Sequence, residues 1–148
     1  MFELPLTKAD FRQLLEVILS WARKEQHTAA VLLVGSYARG MVRVDSDLDI
    51  VVVTDDQAGY FTGNDWPFHI PFGDLGLQIV GWRDAVYGDC WSRHLRLSNG
   101  LEVEIGFVDT GWLCIAPMKE DTAAVLRDGY SILLDPRQLA LNYVRCMR

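Results

Sequence analysis

Two aspartates one residue apart, Asp47 and Asp49, stand at the mouth of a β-branched run, Ile50 to Val53. About ten residues earlier the chain carries a Gly-Ser pair, Gly35 and Ser36. Alternate residues of a strand share a face, so the two carboxylates point the same way, about 7 Å apart, while Leu48 and Ile50 point to the other side. Like charges held in this way repel each other unless a cation lies between them. A hard, oxygen-seeking ion such as Mg²⁺ meets that demand, because it is bound through one or two carboxylates together with substrate phosphates. At Gly35 the backbone can come close to a ligand, and successive N–H groups in a tight turn cradle an anion. The Ser36 hydroxyl adds a further donor to a phosphate oxygen. The pattern predicts a nucleoside triphosphate, bridged to the acids by metal, in the gap between Ser36 and Asp47. Taken separately, each piece also suits a hairpin with an acidic loop; the joint spacing between two apolar runs is what carries the chemistry.

These residues need two strands to position them. Ala29 to Val34 and Ile50 to Val53 are short and rich in β-branched residues, which suits buried strands rather than helices. After Ser36, Tyr37 to Met41 are expected to form a short helix whose positive N-terminal end favours an anion. Arg39 and Arg43 are the cations nearest the expected triphosphate; each also fits a solvated surface charge.

GSYARG followed by DSDLD resembles the signature of the polymerase-β-like nucleotidyltransferase superfamily, which includes aminoglycoside nucleotidyltransferases and minimal nucleotidyltransferases. The resemblance implies an α/β (α+β) nucleotidyltransferase fold, with a central mixed, mostly antiparallel sheet and helices packed on it. It also implies Mg²⁺-dependent chemistry with two ions, an NTP substrate (ATP foremost), and a third carboxylate on a later strand beside the aspartate pair. In members with SDxD a serine at the place of Ser46 touches the triphosphate; a turn-capping serine fits the same position.

That third carboxylate falls on the hairpin running from Trp91 to Val108 around Ser98-Asn99-Gly100, where Asn-Gly suits both positive-φ positions of a type I′ turn. Glu102 and Glu104 lie on one face of its returning strand. Solvent-facing strand acids are the plain alternative for both. Leu101-Glu102-Val103 resembles the Val/Leu-Glu-Val triplet of kanamycin- and streptomycin-modifying members, which makes Glu102 the first choice as metal ligand or base and Glu104 the reserve. A two-residue turn sets Leu97 opposite Glu102 and Leu95 opposite Glu104, an awkward mixture. Either the loop is longer, or the face is only partly open.

The remaining segments read as scaffold. Thr7 and Asp10 form a variant capping box, and Phe11, Leu14, Leu15, Ile18, Leu19 and Ala22 make one helical stripe, with Arg12, Glu16, Arg23 and Lys24 off it. From Asp55 to Gly76, glycines and prolines argue for a long irregular loop. Its aromatics Tyr60, Phe61, Trp66, Phe68 and Phe72 suit a hydrophobic plug, or a stack on a base or acceptor; His69 reads as structural. Leu77 to Trp82 fits a strand or the start of a short helix. Asp121 to Leu126 is a short helix, Tyr130 to Leu134 a strand, and Asp135-Pro136 opens a last helix.

The length of 148 residues suits one nucleotidyltransferase domain over residues 1–148, without the helical domain that helps antibiotic-modifying members hold their acceptor. Half the residues are hydrophobic and 23% charged, which is ordinary for a globular chain. With a net charge of −6, a role that tracks nucleic acid is disfavoured, since phosphates need basic neutralisation. Cys90, Cys114 and Cys146 are widely spaced and odd in number, which suits reduced thiols in a cytoplasmic protein. No signal-peptide profile or membrane-length apolar run is present in the sequence. The leading expectation is transfer of a nucleoside monophosphate to a hydroxyl of a small molecule or protein, releasing pyrophosphate. The alternative is a minimal nucleotidyltransferase antitoxin that binds or AMPylates a small helical toxin. A homodimer or such a helical partner would then complete the pocket. A catalytically dead nucleotide sensor ranks third.

Overall fold

The computed structural model describes residues 8–35, 48–113, 120–127 and 129–146, with the side chains of 8–10 and 121 left aside. Among the described residues four helices and six strands follow one another as α1 (Lys8–Lys24), β1 (Thr28–Val34), β2 (Leu48–Thr54), α2 (Gln57–Thr62), β3 (Ile79–Tyr87), β4 (Cys90–Leu97), β5 (Glu102–Asp109), α3 (Glu120–Arg127), β6 (Tyr130–Leu134) and α4 (Leu139–Cys146). The strands form one sheet in the order β3-β4-β5-β2-β1-β6. Every neighbouring pair is antiparallel except β2 and β5, which run parallel. The mixed, mostly antiparallel sheet with packed helices is the architecture expected from the sequence.

One face of the sheet is buried across its central strands, while the edge strand β3 keeps most of its side chains exposed. Phe11, Leu14, Ile18, Leu19, Trp21 and Ala22 of α1 are buried against this face, while Arg12, Glu16, Arg23 and Lys24 are exposed, so the apolar stripe reads out as packing. The segment from Asp55 to Gly76, expected to be irregular, holds α2 and two single 3₁₀ turns, Trp66–His69 and Phe72–Leu75. Tyr60, Trp66, Ile70 and Phe72 are buried there as a plug: the Tyr60 ring stacks on Phe107 at 4.3 Å, and Trp66 meets Phe107 edge-on at 4.9 Å. Phe61, Phe68 and His69 stay exposed.

Arg93 is buried in this same apolar layer. Its Nε and Nη2 donate to the two Asp84 carboxylate oxygens at 2.8 and 3.2 Å, and Nη1 donates to the Gly63 carbonyl at 2.9 Å. The rings of Trp66, Trp82 and Trp91 surround the guanidinium at 5.0–5.4 Å. A planar, weakly hydrated cation with five donors is the one charge that such a site satisfies.

The other face is covered only in part. Ala30, Leu32 and Val34 of β1, Val51 and Val53 of β2, and Val108 of β5 pack under Trp112, Leu113, Leu126, Ala140, Tyr143 and Val144. The Thr122 hydroxyl donates to the Trp112 carbonyl at 2.6 Å and ties α3 to the turn after β5. Asp135 sits ahead of α4 and accepts the N–H groups of Ala140 and Leu141 at 3.2 and 2.9 Å, which caps that helix as its Asp-Pro opening suggests. Among the described residues no β3 or β4 side chain belongs to the buried part of this cluster; Cys90 packs against it, and Ser92 and His94 of β4 are buried beside it.

One strand decides between alternatives that the sequence left open, and one turn differs from the sequence reading. Of segment 77–82, residues 79–82 belong to a strand, β3, which returns through Gly88 and Asp89 with Gly88 at φ +59°, as a two-residue hairpin turn requires. The turn between β4 and β5 is three residues long, not two. Leu97 and Leu101 close it through a 2.9 Å bond, Gly100 alone takes positive φ, and the Asn99 side chain accepts the Leu101 N–H at 3.1 Å. The extra residue shifts the register by one, so Arg96 faces Glu102 and His94 faces Glu104. Leucines are no longer set against carboxylates, and the awkward mixture disappears. Among the described residues no helix is long and apolar enough to cross a membrane.

Candidate active site

The parallel pairing of β2 with β5 brings two of the expected acids together. Asp49 is the second residue of β2 and pairs with Val34 of β1 on one side and with Glu104 of β5 on the other. Residues paired across neighbouring strands project to the same face, about 4.8 Å apart at the backbone. Both side chains line one cavity of about 270 Å³, shared with Val34, Gly35, Ser92 and Gly106. Glu104 keeps 23% of its side-chain surface exposed, so it is reachable from that cavity.

Gly35 follows the last residue of β1, directly beside the pair. Its φ of +78° lies in the left-handed region, and a Cβ placed there would run into the Asp49 carboxylate. Only glycine fits this bend while leaving the carboxylate in place. Gly106 plays a matching part on the floor: a Cβ would come within 2.8 Å of Cys90 Sγ and 3.1 Å of Ser92 Oγ. A lone glycine inside a strand pattern is a signal of close approach, and it was available from the sequence.

Glu104 is not isolated from its neighbours. His94, buried to 6% exposure, places Nε2 3.5 Å from Glu104 Oε1 and 3.5 Å from the Tyr87 hydroxyl. These are long contacts, electrostatic rather than tight hydrogen bonds. Its Nδ1 is buried with no hydrogen-bond partner. Beyond it the Cys90 thiol is pushed above its ordinary value, chiefly by burial, with the hydrogen bond to Ser92 acting in the opposite direction. His94, Tyr87 and Ser92 were not singled out in the sequence, and Cys90 only as a reduced thiol, because their closeness to Glu104 depends on a strand register that spacing alone does not give.

Glu102 falls elsewhere. It is the first residue of β5, faces Arg96, and lines a neighbouring hollow rather than the Asp49 cavity. Ser36, Arg39, Arg43, Ser46 and Asp47 lie outside the described residues, as do Thr7, Cys114 and the short helix expected over Tyr37 to Met41. Among the described residues no three His, Cys, Asp or Glu side chains converge to hold a metal ion. The described donor set is thus two hard carboxylates in register, beside a glycine bend that leaves room for a ligand.

The nucleotidyltransferase domain family model matches residues 14–106, a span that runs from α1 through the Gly35 bend and Asp49 to Gly106. The chain belongs to the nucleotidyltransferase domain family. Solved structures with similar folds include an aminoglycoside 6-adenyltransferase from Bacillus subtilis, with a TM-score of 0.47 and 10% identity over 64% of this chain and 33% of that one. A cytoplasmic RNA terminal U-transferase aligns with a TM-score of 0.43 and 17% identity, over 71% of this chain and 31% of that one. The chain thus spans about a third of the length of each. No curated protein matches it. The matched span includes Gly35, Asp49 and Glu104.

Proposed function

We propose that this nucleotidyltransferase moves a nucleoside monophosphate from a Mg²⁺-bound NTP, with ATP as donor, to a hydroxyl of a small molecule or protein acceptor. The observation that carries the reading is the in-register pair Asp49 and Glu104 in one cavity beside Gly35. Carboxylate oxygens are the donors that Mg²⁺ takes, so the pair fits that ion; Asp49 and Glu104 would hold it, with Asp47 as the further ligand. Bound there, the metal supplies charge stabilisation to the attacking and leaving oxygens.

The remaining work falls to the chain's own groups. Gly35 and Ser36 would receive the distal phosphates through backbone N–H groups and a hydroxyl, with Arg39, Arg43 and Ser46 as further contacts. Glu104, partly exposed and adjacent to Asp49, is better placed than Glu102 to take the acceptor's proton. The acceptor oxygen forms a bond to the α-phosphorus as the bond from that phosphorus to the β-bridging oxygen breaks. The hydroxyl proton passes to Glu104, and pyrophosphate leaves with the electron pair.

Calorimetry with ATP in the presence and absence of Mg²⁺ tests donor binding, and mass spectrometry for a nucleotide adduct on small-molecule and protein acceptors tests transfer. Asp49→Asn and Glu104→Gln are expected to lower transfer by roughly 10²–10⁴-fold, and Glu102→Gln by much less. Mg²⁺-dependent ATP binding and transfer that survive both the Asp49 and Glu104 substitutions would sink this reading.

A further inference from the structure

Past Glu104 the cross-strand row continues away from Asp49: Glu104 faces His94 on β4, and His94 faces Arg83 on β3. One pair further along, Glu102 faces Arg96, and Arg96 faces Gly81. Gly81, Trp82, Arg83, His94, Arg96 and Glu102 line a hollow of about 230 Å³. His94 forms its wall towards Glu104, so the hollow lies against the proposed base, on the side opposite Asp49 and Gly35.

Two guanidiniums open into that hollow, and neither Arg83 nor Arg96 forms an ion pair with another described residue. Arg93, between them in sequence, points to the opposite face and is fully engaged by Asp84 and Gly63. The Arg96 guanidinium lies over Gly81, where a Cβ would be 3.4 Å from Nη2. Of the residues that line the hollow two are cationic and one, Glu102, is acidic, with the Glu104 carboxylate behind His94, in a chain of net charge −6.

We propose that this hollow binds an anionic group, phosphate or carboxylate, on the acceptor whose hydroxyl meets Glu104. The proposal rests on Glu104 being the acceptor-side carboxylate of the reaction above. Planar guanidiniums match both anions through paired N–H donors, and partial enclosure strengthens such contacts relative to open water. The placement also suits the reaction geometry. Attacking and leaving oxygens lie roughly in line through the α-phosphorus, so acceptor and triphosphate must approach from opposite sides. Here the Gly35 bend and the arginine hollow flank the Asp49–Glu104 pair from β1 and from β3.

The test uses the ¹⁵N-labelled full chain with Mg²⁺ and a non-hydrolysable ATP analogue, so that the donor site is already filled. Glycerol 3-phosphate, glycerate, glycerol and a short oligoribonucleotide are then titrated while the Arg83 and Arg96 side-chain N–H signals are followed. The two small anions are expected to shift both signals and to bind at least tenfold more tightly than glycerol. Arg83→Ala and Arg96→Ala should each weaken them by about ten- to a hundredfold, the usual range for a lost charge-assisted bond. Both arginines are exposed, and thermal melts of the variants verify that they fold. Anions that bind no better than glycerol, anion binding indifferent to both substitutions, or selective binding of the oligoribonucleotide would overturn the proposal. The analogue's own affinity separates the two readings. If it binds while the small anions do not, only the acceptor proposal fails; if it does not bind, the nucleotidyl-transfer reading fails and the acceptor proposal with it.

Discussion

Replacing Gly35 by alanine tests the site at its tightest point. Position 35 sits at φ +78°, a conformation that costs an L-residue with a Cβ roughly 1–2 kcal/mol relative to glycine. For a domain of this size that alone lowers Tm by roughly 2–8 °C. A second, separate cost arises because the new Cβ meets the Asp49 carboxylate, with Asp49 Cγ only 3.3 Å away. The β1–β2 ladder pins both backbones through the Val34–Asp49 pair, so relief must come from swinging the Asp49 side chain out of place. Displacing a reacting group by about 1 Å costs on the order of 10²-fold in rate. Differential scanning calorimetry and a nucleotide-adduct assay are to be read together, with Gly73→Ala as control. Gly73 has open space for a Cβ and no positive φ, so its substitution should be nearly neutral in both assays. The decisive arm is a double-mutant cycle with Asp49→Ala: without the carboxylate, Gly35→Ala should keep only its backbone cost, leaving a coupling of about 0.5–2 kcal/mol. A stability loss of the same size in both backgrounds, or wild-type transfer by Gly35→Ala, would refute this account of the bend.

Two further substitutions probe the scaffold. Asp84→Ala strips the bidentate partner from a guanidinium that is 2% exposed; because Asp84 is itself 40% exposed, the loss should be about 2 kcal/mol rather than the larger figure for fully buried pairs. Urea unfolding measures it, and adding Arg93→Met should restore part of the loss; an Asp84→Ala midpoint equal to wild type would show that the tryptophan rings suffice. Tyr60 is held protonated above its ordinary value of 10.0, first by burial and then by its 3.0 Å hydrogen bond to Glu25. Its contribution is therefore complete below about pH 10 and declines above it, as the unfolded chain releases a proton that the native state retains, by up to ~1.4 kcal/mol per pH unit. Tyr60→Phe should flatten the fall in urea midpoint between pH 9 and 11, leaving the part due to Tyr143, which burial also raises. Parallel slopes for the two proteins would exclude Tyr60 as a source.

Sequence reasoning reached the elements whose signals are local. The α1 stripe, the two β-branched strands, the Asp135 cap and the Asn-Gly turn each depend on residues a few positions apart, where periodicity and backbone preference act directly. Turn length was the first failure. Asn-Gly suits both two-residue and longer hairpins, and only closure at Leu97 and Leu101 selects three residues. The segment from Asp55 to Gly76 shows the same limit: its glycines and prolines do break long elements, yet α2 and two 3₁₀ turns form because Tyr60, Trp66 and Phe72 are held in the core.

What the residues alone determined is that a strand, a Gly-Ser bend and closely spaced acids follow one another in the order a phosphate-and-metal site needs. Which glutamate stands beside Asp49 was decided by tertiary structure. Strands β2 and β5 pair in parallel across more than fifty residues of chain, and no local preference sets such a register. It follows from burying Leu48, Ile50, Val103 and Ile105 together on the far face, which leaves Asp49 and Glu104 side by side on the near one.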